Sequence, residues 1–428
     1  MLSGIHPLTI IFVVAIALET ALRLWLAARQ IAAVRARRDS VPELFHAQIT
    51  LADQQKAADY TVERVRFGRW ATVFDAVFKL LLTLGGGIAA IDALWRNTDI
   101  GEPWLGLLIV VTLFLVLQAL GLPFRLWRTF SIEARFGFNR TTGKVFAADF
   151  AKSLLLAAML GGPLLLAALT LMQRVGVWWW LWAWGLWLIW TLALTWAAPR
   201  FIAPLFNRFS PLPDDALKKR VEILLERCGF TAGGGVYVMD GSLRSAHGNA
   251  YFTGIGRNKR IVFFDTLLAR VEPVELEAVL AHELGHFRLH HVKQRLAASI
   301  GISLLGFAAL AWAARRPDFY TALGVTSPSS ESALILFALV VPVFAYFTTP
   351  LASWWSRRQE VQADEFAAHH ADADSLVAAL VKLFRDNAST LTPDRIYSAF
   401  YDSHPPALER IARLREARDR GPRYFDGQ

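Results

Sequence analysis

Two histidines and a glutamate, about two-thirds of the way along the chain, have the spacing of a metal-dependent hydrolase. Segment 274–290 has the apolar periodicity of an amphipathic helix and contains the run His-Glu-Leu-Gly-His at 282–286. On a helix, His282 and His286 project from the same face, so two neutral imidazoles can bind one Zn²⁺. Glu283 lies beside them and can take a proton from a zinc-activated water, which is metallopeptidase chemistry.

Catalytic zinc needs a third protein ligand, and the best candidate lies farther along the chain. Glu360 and Asp364 are spaced i,i+4 and share one face of a predicted helix. An acidic pair on a helix is more often a solvated face. Beside the histidine pair, however, Glu360 is the predicted third ligand, and Asp364 is the predicted acceptor for the N–H of a ligand histidine. The sequence therefore predicts one Zn²⁺ per chain.

The rest of the chain has the composition of a membrane protein. Apolar residues make up 54% of it and charged residues 19%, with 16 Trp and 29 Phe. Seven stretches approach the ~20 apolar residues that cross a bilayer; they are residues 7–27, 70–93, 103–123, 153–173, 176–199, 297–314 and 332–352. These divide the chain into 1–199 with five membrane helices and their loops, 200–296 with the His-Glu-x-x-His helix, 297–352 with two further helices, and 353–428 with the third ligand.

The distribution of Lys and Arg predicts the orientation in the membrane. The loop after the first helix carries eight basic residues and the loop after the third carries six, whereas the alternate loops carry one or two. By the positive-inside rule, both soluble blocks lie in the cytoplasm. No basic residue precedes the first helix, so we expect a retained span and no signal peptide. Of the possible membranes, we favour a bacterial inner membrane over the endoplasmic reticulum.

Composition argues against one class of partner and one kind of cross-link. The net charge of +9 comes from basic residues between apolar runs, without an aromatic-interleaved patch, so nucleic acid is not an expected partner. The only cysteine is Cys228, so no disulfide can form within the chain, and a metal site must use histidine and carboxylate ligands. The expected partners are a peptide or protein substrate and the lipid bilayer, and the expected state is a monomer.

Further motifs occur along the chain in a recognisable order. They are Ile-Glu-Ala-Arg-Phe-Gly-Phe-Asn-Arg-Thr at 132–141, Pro-Leu-Phe-Asn-Arg-Phe-Ser-Pro-Leu-Pro at 204–213, Arg-Ser-Ala-His-Gly-Asn-Ala-Tyr-Phe-Thr-Gly at 244–254, and Ser-His-Pro-Pro-Ala-Leu-Glu-Arg at 403–410. With the histidine and acidic motifs, they make the chain resemble the Ste24 family of integral-membrane zinc proteases, the type I CAAX prenyl endopeptidases of peptidase family M48.

This resemblance implies a fold and further site residues. The fold would be about seven transmembrane helices around a water-filled chamber, capped by a gluzincin-like α+β metalloprotease domain. Glu360 would be the third zinc ligand, and His404 and Arg410 would act on the oxyanion or on the architecture of the site. His290 and His291 would be surface residues or would orient a ligand, although spacing alone also allows either as a spare ligand.

The motif at 244–254 also predicts a strand. Residues 249–252 alternate and are aromatic, and Arg260–Asp265 predicts the partner strand. By resemblance, this edge strand would bind the substrate backbone through Asn249, Ala250 and Tyr251, a form of β-augmentation. The alternative is an ordinary edge strand covered by a helix.

The predicted reaction is peptide hydrolysis with Glu283 as general base. The resemblance implies cleavage C-terminal to a prenylated cysteine. Two alternatives remain open at this point. One is an HtpX-like quality-control protease for misfolded or stalled membrane proteins, and the other is a transporter or channel with a structural zinc site.

Overall fold

The structure is a computed structural model, and it describes residues 6–230, 235–253 and 260–419. It is mostly helical. Within the described residues, six helices are long and apolar enough to cross a membrane, and one bent pair can form a seventh span. The six are Pro7–Ala36, Trp104–Glu133, Gly143–Arg174, Gly176–Phe206, His291–Ala314 and Ser330–His370. The predicted helical membrane fold is therefore confirmed, and each of the seven predicted stretches coincides with one of these spans.

The second span differs from its prediction because it is not one straight helix. The helices Leu51–Leu82 and Gly87–Arg96 meet at 50°. Gly86 lies between them with a positive φ of 77°, a conformation that glycine adopts without steric cost. At Gly85, a Cβ would lie 2.7 Å from the Leu81 carbonyl oxygen, so a side chain cannot be accommodated there. The glycine run therefore bends the chain where apolar periodicity alone suggested continuity.

Two pairs of opposite charges within the spans neutralise themselves along one helical face. Glu19 and Arg23 are 2.7 Å apart, and Asp75 and Lys79 are 2.6 Å apart. Glu19 is buried, and the Arg23 guanidinium stacks 4.0 Å from the ring centre of Tyr346 on another span. The first pair is thus a packed contact between helices.

A four-stranded sheet lies between the fifth and sixth spans in sequence. Its strands are β1 (Phe209–Pro211), β2 (Val236–Met239), β3 (Ala250–Thr253) and β4 (Arg260–Phe264), in the order β1-β2-β4-β3. Strands β2 and β4 are parallel, and β3 pairs antiparallel with β4, with Ala250 opposite Phe263. The predicted pairing of these two segments is correct, and β3 lies at the edge of the sheet that the described residues form.

Two helices pack against each other and bring distant parts of the sequence together. We call Pro273–Arg288 the histidine helix and Ser330–His370 the carboxylate helix. Pro273 at the first helical position and a capping box from Glu272 to Glu275 begin the histidine helix. Further short helices pack around the buried apolar core of this unit; they are Asp215–Arg227, Asp265–Leu268, Ala373–Asp386 and Ala407–Asp419. The helix Arg395–Tyr401 instead packs against the carboxylate helix and the first membrane span.

Close contact between these two helices depends on one glycine of the histidine helix. A Cβ at Gly285 would lie 3.1 Å from the Cα of Ala363 and 3.1 Å from the Cβ of Phe366, both on the carboxylate helix. Because real Cβ atoms seldom approach so closely, a larger residue would force the helices apart. Gly285 therefore lets the carboxylate helix approach the face that carries His282 and His286.

Candidate metal centre

Crossing of the two helices brings together the three residues that the sequence predicts as ligands. Donor atoms of His282, His286 and Glu360 all lie within 4.8 Å of one another. The Nε2 of His282 is 3.3 Å from Oε2 of Glu360, and the Nε2 of His286 is 3.4 Å from Oε1 of the same carboxylate. No other group of three His, Cys, Asp or Glu residues in the described parts of the chain meets this criterion.

The chemistry of this cluster fits a divalent cation. Glu360 is 4% exposed, and its Oε2 has no hydrogen-bond partner. Burying a carboxylate oxygen without a hydrogen bond is costly, and a cation between the carboxylate and the two imidazoles removes that cost. Two nitrogens and one oxygen form the donor set of a catalytic zinc site with an open fourth position.

His282 is held from behind by a buried ion pair. Its Nδ1 is 2.8 Å from Oδ1 of Asp364, and Arg410 donates two hydrogen bonds of 2.7 Å to the same carboxylate. Burial favours the neutral imidazole, but the charges of Asp364 and Glu360 outweigh it and raise the pKa of metal-free His282 to about 9. Arg410 lies behind the histidine, so its position supports an architectural role rather than contact with an oxyanion.

The second histidine is in the opposite electrostatic situation. Burial and the neighbouring charge of His282 lower the pKa of His286 to about 3, so it is a neutral donor at pH 7. Its Nδ1 is 3.0 Å from Nδ1 of His291, which is 1% exposed, whereas His290 is exposed and has a positive φ of 62°. Neither follows the helical register of the first two histidines, because the histidine helix ends at Arg288.

Two candidate catalytic residues, Glu283 and His404, adjoin the cluster. Burial raises the pKa of Glu283, which follows His282 directly. The Nε2 of His404 is 3.2 Å from Oε2 of Glu360, and the His404 side chain is 57% exposed. Its loop is held by Arg357, whose guanidinium donates to the carbonyl oxygens of Ser398 and Asp402 at 3.2 and 2.8 Å. Sequence reasoning did not single out Arg357.

Asn249, Ala250 and Tyr251 lie where strand β3 begins, at the sheet edge. The backbone N–H of Ala250 donates to the side-chain oxygen of Asn249 at 2.8 Å, and Tyr251 lies opposite Val262 of β4. A Cβ at Gly248, just before the strand, would meet nothing closer than 3.5 Å, so no close approach requires this glycine.

A polar network holds the residues that precede this strand. His247 Nδ1 contacts Oδ1 of Asn387 at 3.2 Å, and its Nε2 is 3.6 Å from Glu133. Glu133 in turn accepts hydrogen bonds of 2.8 and 2.9 Å from the hydroxyl of Tyr60. The network links two membrane helices to the edge strand. Sequence reasoning quoted the motifs that contain Glu133 and His247 but missed their contact and Tyr60.

Candidate membrane spans joined to a buried His-His-Glu cluster are the features of an integral-membrane metallopeptidase. Comparison with known proteins agrees. Residues 30–208 match the family model described as CAAX prenyl protease N-terminal, five membrane helices, and residues 211–418 match the model of peptidase family M48. The chain therefore belongs to peptidase family M48.

Similar proteins of known name cover most of the chain. The crystal structure of S. mikatae Ste24p has a TM-score of 0.88 and 28% identity and covers 96% of this chain and 99% of that chain. The CAAX prenyl protease 1 homolog of Mus musculus is 32% identical over 415 residues, or 85% of this chain and 86% of the mouse protein. The homolog of Oryza sativa subsp. japonica is 36% identical over 301 residues, or 70% of this chain and 71% of the rice protein.

These relationships decide between the functions left open by the sequence. The chain is a multi-pass membrane metalloendopeptidase that acts on peptides or proteins, as predicted, and this reading holds over the quality-control protease and the transporter. The preference for a bacterial inner membrane is not supported, because these relatives are eukaryotic.

Proposed function

We propose that this protein is a zinc endopeptidase that cleaves the peptide bond C-terminal to a prenylated cysteine. The names of its relatives, CAAX prenyl protease 1 homologs, support this substrate class. The observation that carries the proposal is the buried Glu360 carboxylate, whose Oε2 lacks a hydrogen-bond partner and faces Nε2 of His282 and His404. A zinc ion held by His282, His286 and Glu360 would supply a polarised water and a Lewis acid for the scissile carbonyl.

Four residues of the chain carry out or support the remaining steps of peptide hydrolysis. Glu283 is a half-buried carboxylate with a raised pKa, so it accepts a proton from the attacking water and returns it to the leaving amine. His404 lies on the open side and donates a hydrogen bond to the oxyanion that develops there. Asp364 and Arg410 keep the Nδ1–H tautomer of His282, so that its Nε2 stays available as a ligand.

Substrate binding is assigned to the edge of the sheet. Within the described parts of the chain, strand β3 pairs only with β4, so the substrate backbone can add as a further strand at its other side. In an antiparallel pair, alternate residues direct their backbone groups outwards. Phe264 N–H donates to the Asn249 carbonyl oxygen, so the next residue, Ala250, directs its groups to the free side. There the Asn249 side-chain oxygen accepts from the Ala250 N–H, and a substrate carbonyl would replace it.

The membrane arrangement of the proposal rests on charge and burial. The basic loops favour a cytoplasmic catalytic unit. Only 6% of the most apolar stretch is buried in each of the spans Gly143–Arg174 and Gly176–Phe206, which supports helices that face lipid on one side and a water-filled chamber on the other. We propose a monomer with one zinc ion that does not bind nucleic acid.

The general-base assignment is tested by Glu283→Gln in the full-length protein. We expect no turnover while the zinc content stays at one per chain, because the amide removes the proton acceptor but no ligand. Glu277→Gln is the matched control, since Glu277 lies on the same helix and pairs with Arg220 at the surface. Full activity in Glu283→Gln would overturn the assignment.

A second assay tests the substrate class. Farnesylated and unmodified versions of the same C-terminal peptide are incubated with the wild-type protein, and kcat/KM is compared. We expect the farnesylated peptide to be preferred by at least tenfold, or about 1.4 kcal/mol of transition-state binding. Equal cleavage of both would refute specificity for prenylated substrates and leave a general membrane endopeptidase.

A further inference from the structure

A chain of side chains runs from the protein surface to the second histidine of the metal centre. Gln362 is exposed on the carboxylate helix, and its side-chain oxygen is 3.0 Å from Nε2 of the buried His291. The Nδ1 of His291 is 3.0 Å from Nδ1 of His286. The Nε2 of His286 then faces Oε1 of Glu360 at 3.4 Å. Three residues are thus connected in one line that ends at the proposed zinc position.

The hydrogen-bond chemistry of this line determines which nitrogen carries each proton. An amide oxygen can only accept, so Nε2 of His291 must donate to Gln362. A neutral imidazole has one N–H, so Nδ1 of His291 is an acceptor and His286 must donate to it from its own Nδ1. His286 is then left with a free lone pair on Nε2. That is the nitrogen directed at Glu360 and at the metal.

We infer that Gln362 and His291 are positioning residues that fix His286 in its metal-binding tautomer. This inference rests on the proposed function, because it assigns His286 as a ligand. The two ligand histidines are then oriented in the same way. Asp364, held by Arg410, accepts a hydrogen bond from Nδ1 of His282. His291, held by Gln362, accepts a hydrogen bond from Nδ1 of His286. Each ligand histidine thus has its own orienting pair.

The two orienting pairs differ in charge. His282 is oriented by the carboxylate of Asp364, which Arg410 backs. His286 is oriented by the imidazole of His291 and the amide of Gln362, neither of which carries a negative charge.

The test is the zinc affinity of the full-length protein, measured by competition with a chromogenic chelator at fixed pH. His291→Phe removes the acceptor, and we expect affinity to fall about 10- to 100-fold, as for loss of other groups that orient zinc ligands. His291→Gln keeps an amide oxygen that can accept from His286, so its loss should be smaller. His290→Ala is the matched control, because His290 is exposed and next in sequence.

Substitutions at Gln362 distinguish tautomer control from packing. Gln362 is exposed, so its variants do not disturb the core. Gln362→Leu removes the acceptor and should weaken zinc binding several-fold. Gln362→Lys places a donor opposite Nε2 of His291, reverses the proton order along the line and should weaken binding more than Leu does. His290→Lys adds the same charge without facing that nitrogen and should leave affinity within about twofold of wild type.

The outcomes separate this inference from the function beneath it. If wild-type protein binds no zinc, or His286→Ala binds as tightly as wild type, the proposed metal site itself is wrong. If wild type binds zinc and His286→Ala does not, but His291→Phe and Gln362→Lys bind as tightly as wild type, only the positioning inference is overturned. An equal loss in Gln362→Lys and His290→Lys would also overturn it, because charge alone would then account for the effect.

Discussion

Replacing Gly285 by alanine tests whether the metal centre depends on the close crossing of two helices. The substitution adds one methyl group inside the His-Glu-Leu-Gly-His motif and removes no ligand or base. Its Cβ would lie 3.1 Å from the Cα of Ala363 and 3.1 and 3.2 Å from the Cβ and Cδ1 of Phe366. Carbon atoms in optimal contact are ~3.5–4.0 Å apart, so the helices must separate by about half an ångström.

Two opposing energies set the size of the effect on stability. Overpacking a tight contact costs about 1–3 kcal/mol, and alanine in a helix interior returns about 1 kcal/mol relative to glycine. A net destabilisation of about 1 kcal/mol is therefore expected. The effect on catalysis is larger in proportion, because the shift separates Glu360 from His282 and His286. A misplacement of about 1 Å can cost 10²-fold in rate, so half of that predicts about a tenfold loss of kcat/KM.

The assay compares Gly285→Ala with Gly301→Ala in thermal unfolding, zinc affinity and peptide cleavage. Gly301 is the matched control, since it also lies inside a helix but has nothing within 4 Å of its added Cβ. We expect the control to keep full activity with equal or slightly higher stability. Wild-type kcat/KM and zinc affinity in Gly285→Ala would refute the argument that this contact sets the position of Glu360.

Three further predictions concern the residues around the centre. Arg410→Ala leaves the buried Asp364 carboxylate without its cation and should lower the free energy of unfolding by about 3–5 kcal/mol. Unchanged stability in a denaturant titration would show that the ion pair does not stabilise the fold. The pKa of metal-free His282 is raised to about 9, so the residue is protonated below that pH, and zinc affinity should rise as the pH rises to 9. Calorimetry at pH 7 in buffers of different ionisation enthalpy should find about one proton released from His282 per zinc bound. A value near zero would disprove this. Tyr60→Phe removes the hydroxyl from Glu133 and should raise KM several-fold with kcat and zinc content unchanged, while a loss of zinc would show that the network serves the metal instead of strand β3.

Local signals in the sequence were enough for the membrane helices and for the three candidate ligands that the structure brings together. Apolar runs of about 20 residues identify spans without tertiary information. The i,i+4 spacing of His282 and His286 follows from helix geometry alone. The bend in the second span was missed because hydropathy reports composition, and the decisive property of residues 85–87 is steric.

The supporting residues could not be predicted because their partners are remote in sequence. Gln362 and His291 are 71 residues apart, and Tyr60 and Glu133 are 73 residues apart. Their contacts arise from how helices pack, and no periodicity records that. His290 and His291 look equivalent in the sequence, yet His290 is exposed and His291 is only 1% exposed. They differ because the histidine helix ends at Arg288, before both of them. If the helix had continued through His290, as the apolar periodicity predicted, His290 would be the buried histidine and His291 the exposed one.

The carboxylate helix is long enough to connect the metal site to the membrane. Its 41 residues span about 60 Å, twice the ~30 Å hydrocarbon core of a bilayer. About 20 residues from Ser330 are enough to cross that core, which leaves Glu360 about 15 Å beyond it, after a 3-10 turn at Tyr346–Thr348. One proposed zinc ligand therefore follows a membrane span in the chain, whereas the other two belong to the histidine helix of the catalytic unit. A tilt of that span, passed on through the turn, would move Glu360 against His282 and His286, so we expect the geometry of the metal centre to depend on packing within the bilayer.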